Sequence, residues 1–442
     1  MIHLSQEDKR VWALIIFVAV IGVLFIPFSQ TFWGVNYDYT LRNVAAGGAI
    51  LGIVSGALGC FAVLRQESLM GDSLSHAALP GVAVAFLVAG RDLSVLLIGA
   101  GVAGWLGMLL ISSIVHTTRI KQDTAMGVTL ATFFAIGLAL LTYIQGRPDA
   151  SQAGLDRFIF GQAAAIVRSD VELITGVGLV EFAILFLFWK EFKLITFDYE
   201  FARANGYPVR FYDTLLSTLI VVAIVLGLQL AGVILMVGML IAPAVAARQW
   251  THKMDQMIFL AAVFGAFAGS TGAVISAVDT DMPTGPLIIV VAFMLVFISI
   301  SLAPGRGLAW ALWRRRQDRL RFAAQNVLRD LYRHALGHGD PYFYTEESLL
   351  VNLRGSAARI GLHRLEQEGK VIRRNGEWAL TESGAKIAAR DARNQQLWDV
   401  YRQYSDALNL AVIPEDRQHD IAETLQPDAI QRLEQILEGG AD

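Results

Sequence analysis

The chain has 442 residues, of which 55% are hydrophobic and 17% charged, and its mean hydropathy is +0.49. A soluble domain is usually about 25% charged, so this composition excludes an ordinary cytosolic enzyme and indicates a membrane protein. The net charge of -3 conceals an asymmetry, because charged residues are sparse up to Pro304 and dense from Arg306 onward. The single cysteine, Cys60, lies in an apolar run, which excludes a disulfide framework and a thiolate metal cluster.

The charge asymmetry predicts three parts: a transmembrane domain at 1–305, an amphipathic linker helix at 306–335 and a folded cytoplasmic domain at 336–442. A plain helical linker is the alternative for the second part. A membrane span needs roughly 20 mostly apolar residues, so we expect an all-α polytopic membrane domain of about eight to ten helices. The candidate segments are 11–28, 44–64, 68–89, 93–115, 124–145, 171–189, 211–229, 231–247, 257–277 and 284–303.

Basic residues in the short connecting segments predict the orientation of the chain in the membrane. If the amino terminus lies inside, most of these residues, including Arg65, Arg119 and Lys193, fall on the cytoplasmic side. Positive charge is enriched in cytoplasmic loops, so we expect both termini in the cytoplasm. The Arg314–Arg316 cluster would then contact anionic lipid headgroups.

A polar stretch, Gly71–Gly81, interrupts an otherwise apolar segment. In a helix, its Asp72 and His76 are four residues apart and share one face. An ionisable residue within a span is costly unless it pairs, binds an ion or meets water. A carboxylate with an imidazole suits divalent manganese, zinc or iron. Asp72 and His76 are therefore candidate metal ligands, and the alternative is a structural pair near a helix end.

Two further features of the membrane domain have open interpretations. Asp279 and Asp281 fall on the predicted outer side, where they are weaker candidates for the metal path, and an ordinary acidic turn is the alternative. Gly52 and Gly56 repeat at a spacing of four residues, which favours close helix packing over a special role in a moving pathway.

Three motifs occur in a fixed order along the membrane domain: Gly71–Gly81, then Phe197–Ala202 with Gly206, then Gly232–Arg248. Together they resemble the permease subunits of manganese, zinc and iron ABC importers. The resemblance implies a bacterial cytoplasmic (inner) membrane and three partners: an ABC ATPase, an extracytoplasmic metal-binding protein, and a second permease copy or a related permease. In that family an aspartate and a histidine four residues apart line the translocation path, and they match Asp72 and His76.

A more distant similarity to vitamin B12 and siderophore importer permeases concerns the segment after the third motif, about 244–257. It implies a cytoplasmic helix that docks on the ATPase, and we expect Pro243 to end the helix before it. The resulting candidates for ATPase coupling are Arg248, Gln249, Trp250 and Lys253, with Asp198, Glu200 and Gly206 as a second contact.

The chain has no phosphate-binding loop of the form Gly-x-x-x-x-Gly-Lys-Ser/Thr. Gly369-Lys370 lacks both the upstream glycine and the hydroxyl residue. We therefore expect a transport permease that is not an enzyme and has no permanently bound cofactor. Its cargo would be a manganese, zinc or iron ion, and a separate subunit would hydrolyse ATP. A passive channel or ion-coupled exchanger is the alternative that needs no ATPase.

Local signals in the tail predict a helix, a second helix and a hairpin. Thr345–Ser348 begins the first helix, Ser356–Gly369 forms the second, and 370–381 alternates around Asn375-Gly376, a strong hairpin signal. This order predicts a small α+β winged-helix domain. The tail resembles iron- and manganese-dependent repressors, notably at 364–371 and 380–384, with 421–437 similar to their dimerising region.

The tail departs from those repressors where they carry metal ligands, because it has Gln395, Gln396 and Asp399 after the hairpin and Ala422-Glu423 further on. A full sensing site is therefore not expected, and we predict a regulatory or assembly role. The alternative is a membrane-tethered, metal-responsive winged-helix regulator that binds DNA, although a solvated basic face is the simpler interpretation and DNA is not an expected partner. The residues that could contact nucleic acid or a regulatory partner are Arg354, Arg359, Arg364, Arg373 and Arg374.

Overall fold

The computed structural model describes residues 6–67, 69–90, 92–146, 166–279, 282–304, 306–405 and 420–439. The chain divides into two compact units, Met1–Trp310 and Ala311–Asp442.

The first unit is a bundle of apolar helices. Eight helices of the described residues are long and apolar enough to cross a membrane, or nine if one bent pair counts as a span. The predicted polytopic helical domain is therefore confirmed. The helices are α1 Gln6–Trp33, α2 Tyr39–Leu64, α3 Met70–Ala89, α4 Leu93–Thr117, α5 Gln122–Gln145, α6 Arg168–Leu187, α7 Trp189–Phe197, α8 Tyr199–Ala204, α9 Val209–Arg248, α10 Met254–Ser276 and α11 Thr284–Leu302.

Short polar side chains fix where several of these helices begin. The Asp38 carboxylate accepts a hydrogen bond from the Leu41 amide at 2.8 Å. The Asp92 carboxylate accepts one from the Ser94 amide at 3.0 Å. Both satisfy amide groups that have no partner within the first helical turn.

Small residues bring α2 and α10 into contact along much of their length. A Cβ atom added at Gly48 would lie 2.8 Å from the Gly269 carbonyl oxygen, and one added at Gly56 would lie 2.6 Å from that of Ala261. A Cβ atom at Gly52 would collide with the carbonyl of Gly265. The glycine spacing therefore serves backbone-to-backbone packing of antiparallel helices, as predicted.

One end of the bundle holds the segments 65–67, 118–121 and 249–253, together with 188–208, which contains α7 and α8. It is called the basic end below. The antiparallel register of α2 and α10 places the segments 65–67 and 249–253 together. Lys253 Nζ lies 2.6 Å from the Asp8 carboxylate, so α1 starts at the same end.

Two predicted spans differ from the structure. The segments 211–229 and 231–247 form one helix, α9, interrupted at Gly232, where φ is 77° and ψ is 171°. Its second part, Met236–Arg248, is shorter than a span. The expectation that Pro243 ends a helix is wrong, because α9 continues through it to Arg248. Glycine, with no Cβ, adopts the positive φ at the break, whereas packed membrane helices tolerate an internal proline. The α6 and α7 helices form the other irregular span and meet at 70°.

The second unit contains helices and a three-stranded sheet of order β1-β3-β2. The Val371–Leu380 and Arg374–Glu377 pairs are antiparallel partners. The predicted turn joins them, since Asn375 and Gly376 both have positive φ, 53° and 87°. The elements are α12 Leu308–Gly337, β1 Thr345–Glu346, α13 Glu347–Arg354, α14 Ser356–Gln367, β2 Val371–Arg374, β3 Glu377–Leu380, α15 Glu382–Tyr404, α16 Ile421–Thr424 and α17 Pro427–Gly439.

Two small cores stabilise this unit. The first surrounds Leu331, Leu362 and Trp378, and the second surrounds Trp398 and Leu433. The observed order of two helices and a hairpin agrees with the pattern in the sequence, and the assignment as a winged-helix domain stays a prediction.

Candidate functional site

Asp72 and His76 lie on the first two turns of α3, at the basic end of the bundle. His76 Nε2 is 3.4 Å from Asp72 Oδ1, so the structure brings the two predicted ligands together. The other ring nitrogen, His76 Nδ1, is buried and has no hydrogen-bond partner among the described residues. A carboxylate oxygen and a neutral imidazole nitrogen are both ligands for divalent transition metals, so the pair offers a partial coordination site.

Neighbouring side chains fix the orientation of this pair. The His76 ring packs against Phe134 of α5 in a T-shaped contact, with the ring centroids 4.8 Å apart. Ser73 donates a buried hydrogen bond of 3.0 Å to the Met126 carbonyl, which ties the same turn of α3 to α5. The Asp72 side chain nevertheless remains 39% exposed and that of His76 21% exposed. The polar face of α3 is therefore open at the surface of a single copy.

The weaker metal candidates do not join this pair. Asp279 is exposed in the turn between α10 and α11, at the opposite end of the bundle from Asp72. Asp281 lies outside the described residues. No group of three or more histidine, cysteine, aspartate or glutamate residues able to hold a metal occurs in the described part of the chain. Among the described residues, Asp72 and His76 therefore supply only a partial set of side-chain ligands.

The first set of predicted coupling residues lies at the end of α9 and in the turn that follows it. The separate cytoplasmic helix expected at about 244–257 is not formed, because 244–248 belongs to α9 and α10 begins at Met254. Arg306 donates a hydrogen bond of 3.0 Å to the Arg248 carbonyl. Gln249 and Trp250 follow in the turn and help to line a cavity of about 470 Å³ with Arg306. Lys253 pairs with Asp8. Much of this segment is thus engaged in contacts within the bundle.

The second set lies on α8, a six-residue helix at the basic end. The Asp198 carboxylate caps it by accepting a hydrogen bond of 2.9 Å from the Phe201 amide. Glu200 is exposed, Phe201 is 55% exposed, and Gly206 has a φ of 80° that ends the turn after the helix. This short helix therefore presents an acidic, an aromatic and a basic side chain to the surroundings, namely Glu200, Phe201 and Arg203.

Sequence reasoning did not identify a buried charge network at the basic end. Arg65 Nε lies 2.9 Å from Glu67 Oε1, and its Nη2 atom pairs with Asp213. The side chains are 15%, 4% and 19% exposed in that order. Together with His116 and Tyr199, they line a cavity of about 340 Å³. Arg65 and Asp213 are 148 positions apart in the chain, so spacing gives no signal for their contact.

Burial changes the pKa of Glu67, which lies in the segment between α2 and α3. Desolvation raises the pKa of the Glu67 carboxyl, and the neighbouring Arg65 charge offsets this only in part. The network is therefore sensitive to the loss of Arg65, its one cation within the described part of the chain.

Most of the predicted nucleic-acid contacts in the second unit are occupied by carboxylates. Ion pairs join Arg354 to Asp330 at 2.7 Å, Arg359 to Glu347 at 3.1 Å, Arg364 to Glu368 at 2.9 Å and Arg373 to Glu347 at 3.7 Å. Of the five predicted arginines, Arg374 has no ion pair with a described residue. This surface consequently has little uncompensated positive charge for phosphates.

Comparison with known proteins defines the family. Residues 36–303 match the model of the ABC 3 transport family. The chain belongs to this family. It is 41% identical to the manganese transport system membrane protein MntC of Bacillus subtilis (strain 168), over 89% of this chain and 91% of MntC. It is 46% identical to the zinc transport system membrane protein TroC of Treponema pallidum (strain Nichols), over 63% of this chain and 94% of TroC.

A solved structure supports the assignment of the chain to the ABC 3 transport family. The chain superposes on PsaBC from Streptococcus pneumoniae in complex with Fab with a TM-score of 0.55 and 36% sequence identity, covering 64% of this chain and 97% of that chain. The similarity to MntC covers more of the chain than residues 1–305 can supply, so it extends into the tail. The chain is thus a multi-span member of the ABC 3 transport family with an additional C-terminal unit.

Proposed function

We propose that this chain is the permease subunit of an ATP-driven importer of a divalent transition metal, manganese, zinc or iron. The observation that carries the proposal is the Asp72–His76 pair, whose Oδ1 and Nε2 atoms lie 3.4 Å apart on a membrane-spanning helix. We assign both side chains as transient ligands of the transported ion.

The exposure of this pair supports a pathway that two permeases share. A charged side chain facing hydrocarbon is strongly disfavoured, so ionisable residues in spans face water or protein. Asp72 is 39% exposed in the single chain. We infer that a second permease copy or a related permease covers the polar face of α3 and leaves an aqueous path beside it.

Orientation follows from the same charge bias that distinguishes the two ends of the bundle. Arg65, Arg119, Lys193 and Lys253 all belong to the basic end. We propose that this end and both chain termini lie in the cytoplasm, with the protein in the bacterial inner membrane. The opposite end would then receive the ion from an extracytoplasmic metal-binding protein.

Energy for import would come from an ABC ATPase docked at the basic end. We propose α8 as the main contact, because Glu200 and Phe201 are exposed on a short capped helix. The turn at 248–253 is the second contact, and its pairing with α1 through Lys253 and Asp8 would pass movement into the bundle.

We propose that residues 336–442 form a winged-helix domain with a regulatory or assembly role, and that 306–335 is an amphipathic linker helix. Trp310 and Trp313 are exposed near the start of α12 and precede the Arg314–Arg316 cluster, a pattern that suits a lipid surface. A DNA-binding role is disfavoured, because carboxylates neutralise Arg354, Arg359 and other candidate phosphate contacts.

Metal accumulation in cells tests the proposed transport. Cells that express the chain with its ATPase and binding protein would be supplied with manganese, zinc and iron and analysed for their elemental content. We expect accumulation of one metal that requires the ATPase. Asp72→Asn and His76→Gln should each reduce uptake by about tenfold or more, since each removes a ligand. Undiminished uptake by both variants would contradict the assigned site.

A matched control separates loss of a ligand from loss of any membrane-domain carboxylate. Glu172 forms an exposed ion pair with Arg168 at 2.8 Å on α6, with a side chain 66% exposed. Glu172→Gln should leave uptake unchanged, because an exposed pair contributes little to stability. Equal membrane levels of all variants would show that differences in uptake do not reflect assembly.

A further inference from the structure

Two histidines lie four positions apart at the carboxyl end of α12, in the second unit. The His334 and His338 ring centroids are 4.5 Å apart, at an interplanar angle of 62°. The Phe343 ring stacks on His338 at 3.9 Å and 11°, which fixes the plane of that imidazole. Neither histidine belongs to the Asp72–His76 site or to the arginine surface.

The hydrogen bonding of His338 is that of a metal-ligating histidine. Its Nδ1 atom lies 2.9 Å from the His334 carbonyl oxygen. Because a carbonyl oxygen only accepts, Nδ1 is the donor in this contact, and in the neutral ring Nε2 is then the nitrogen with a lone pair for a metal. Histidines that bind metals typically donate their other ring N–H to a backbone carbonyl or carboxylate, which sets the tautomer.

The separation of the two rings also suits a shared ion. Two imidazoles bound through nitrogens about 2.1 Å from one ion have centroids about 4.5–5.2 Å apart for ligand angles between about 90° and 109°. The observed separation is 4.5 Å. Both residues lie at the carboxyl end of a 30-residue helix, where the helix dipole favours positive charge.

We propose that His334 and His338 bind one divalent transition metal ion of the zinc class, with water completing its coordination. Neutral imidazole prefers zinc over manganese, which favours carboxylate and carbonyl oxygens. The alternative is that His338 only caps α12 and stacks on Phe343. If the proposed transport function holds, an ion bound here would lie on the side of the membrane that receives the cargo.

Residue-level footprinting of the purified full-length chain in detergent tests the site. Histidines would be carbethoxylated at constant pH with and without Zn²⁺, and modification would be quantified by mass spectrometry at His334, His338 and His363. His363 is a histidine of the same unit with a side chain 73% exposed, and it serves as the internal control. At a Zn²⁺ concentration ten times the dissociation constant, we expect modification of the pair to slow about tenfold and that of His363 to stay unchanged.

Variants and a second metal distinguish binding from capping. His338→Gln should abolish the protection of His334 by Zn²⁺, whereas His363→Gln should leave it intact. Mn²⁺ should protect the pair only at higher concentration than Zn²⁺. Equal modification rates with and without Zn²⁺ at saturating concentration would overturn the proposal and leave the capping role. Because the measurement is binding by the purified chain, its failure is distinguishable from a failure of metal transport.

Discussion

Replacement of Arg65 by methionine tests the buried charge network at the basic end of the bundle. Among the described residues, Arg65 is the only cation that forms ion pairs with Glu67 and Asp213. The Glu67 side chain is only 4% exposed, so water cannot take over the role of the guanidinium. The variant would leave two carboxylates close together and largely desolvated.

The expected destabilisation is large for a single substitution. Breaking a buried ion pair by removing one partner typically costs about 3–5 kcal/mol, whereas an exposed pair contributes about 0–1 kcal/mol. The loss should also depend on pH. Burial already raises the Glu67 pKa in the intact protein, and loss of Arg65 removes the charge that opposes this shift. A carboxyl with a raised folded-state pKa loses stability as the pH rises through that pKa, so the defect of the variant should shrink in acid.

Thermal unfolding of the detergent-solubilised chain, followed by size-exclusion chromatography, measures the effect. Arg65→Met should lower the midpoint by several degrees. Arg168→Met, which breaks an exposed pair with Glu172, should lower it little. Combining Arg65→Met with Glu67→Gln and Asp213→Asn should restore much of the loss, because no charge is then left buried. Equal midpoints for Arg65→Met and Arg168→Met would refute the reasoning.

Three further substitutions test the packing, the tail and its turn. Gly52→Ala should reduce folded protein in the membrane because its Cβ would collide with Gly265, while Gly101→Ala, which has open space around it, should not; chromatographic yield measures both. Lys370 and Arg364 lower the pKa of Glu368 in the folded protein. The carboxylate therefore stabilises the tail, by at most about 1 kcal/mol because the group is so exposed. This stabilisation should be present above the ordinary pKa of the carboxyl group and vanish as the pH falls through the lowered pKa. Glu368→Gln should therefore weaken the tail near neutral pH but not in acid, as followed by amide exchange. Gly376→Ala should destabilise the hairpin by about 1 kcal/mol, because Gly376 has a φ of 87°, and faster exchange at the strands would report it.

Local sequence signals predicted those features whose physical cause is local. Apolar length specifies a span because the hydrocarbon thickness is fixed. Asn375-Gly376 specifies the hairpin because both residues accept the positive φ of its turn. The sequence placed an interruption of the apolar stretch 211–247 near 229–232, and the break lies at Gly232, where φ is 77°. It did not predict that the parts on either side belong to one interrupted helix, whose second part is too short to be a span of its own.

In the candidate site too, the sequence predicted contacts within one helix but not contacts between helices. Asp72 and His76 are four residues apart, so helix geometry alone brought them together. Phe134, which packs against the His76 ring, comes from another helix and has no sequence signal that distinguishes it from a lipid-facing aromatic residue. Arg65 and Asp213 met only through the packing of α2 and α9.

The partial exposure of Asp72 and His76 bears on whether they form a structural pair or a transient binding site. Within one copy the pair has a 3.4 Å contact, one ring packed against Phe134 and one buried nitrogen, His76 Nδ1, without a described partner. A purely structural pair in a membrane is expected to satisfy its polar atoms, because an unpaired group there finds no water. An incomplete ligand set on an open face is instead what transient binding requires, since a transported ion must leave as well as enter. The open face of α3 therefore favours a site completed by water and a second permease over a closed structural pair.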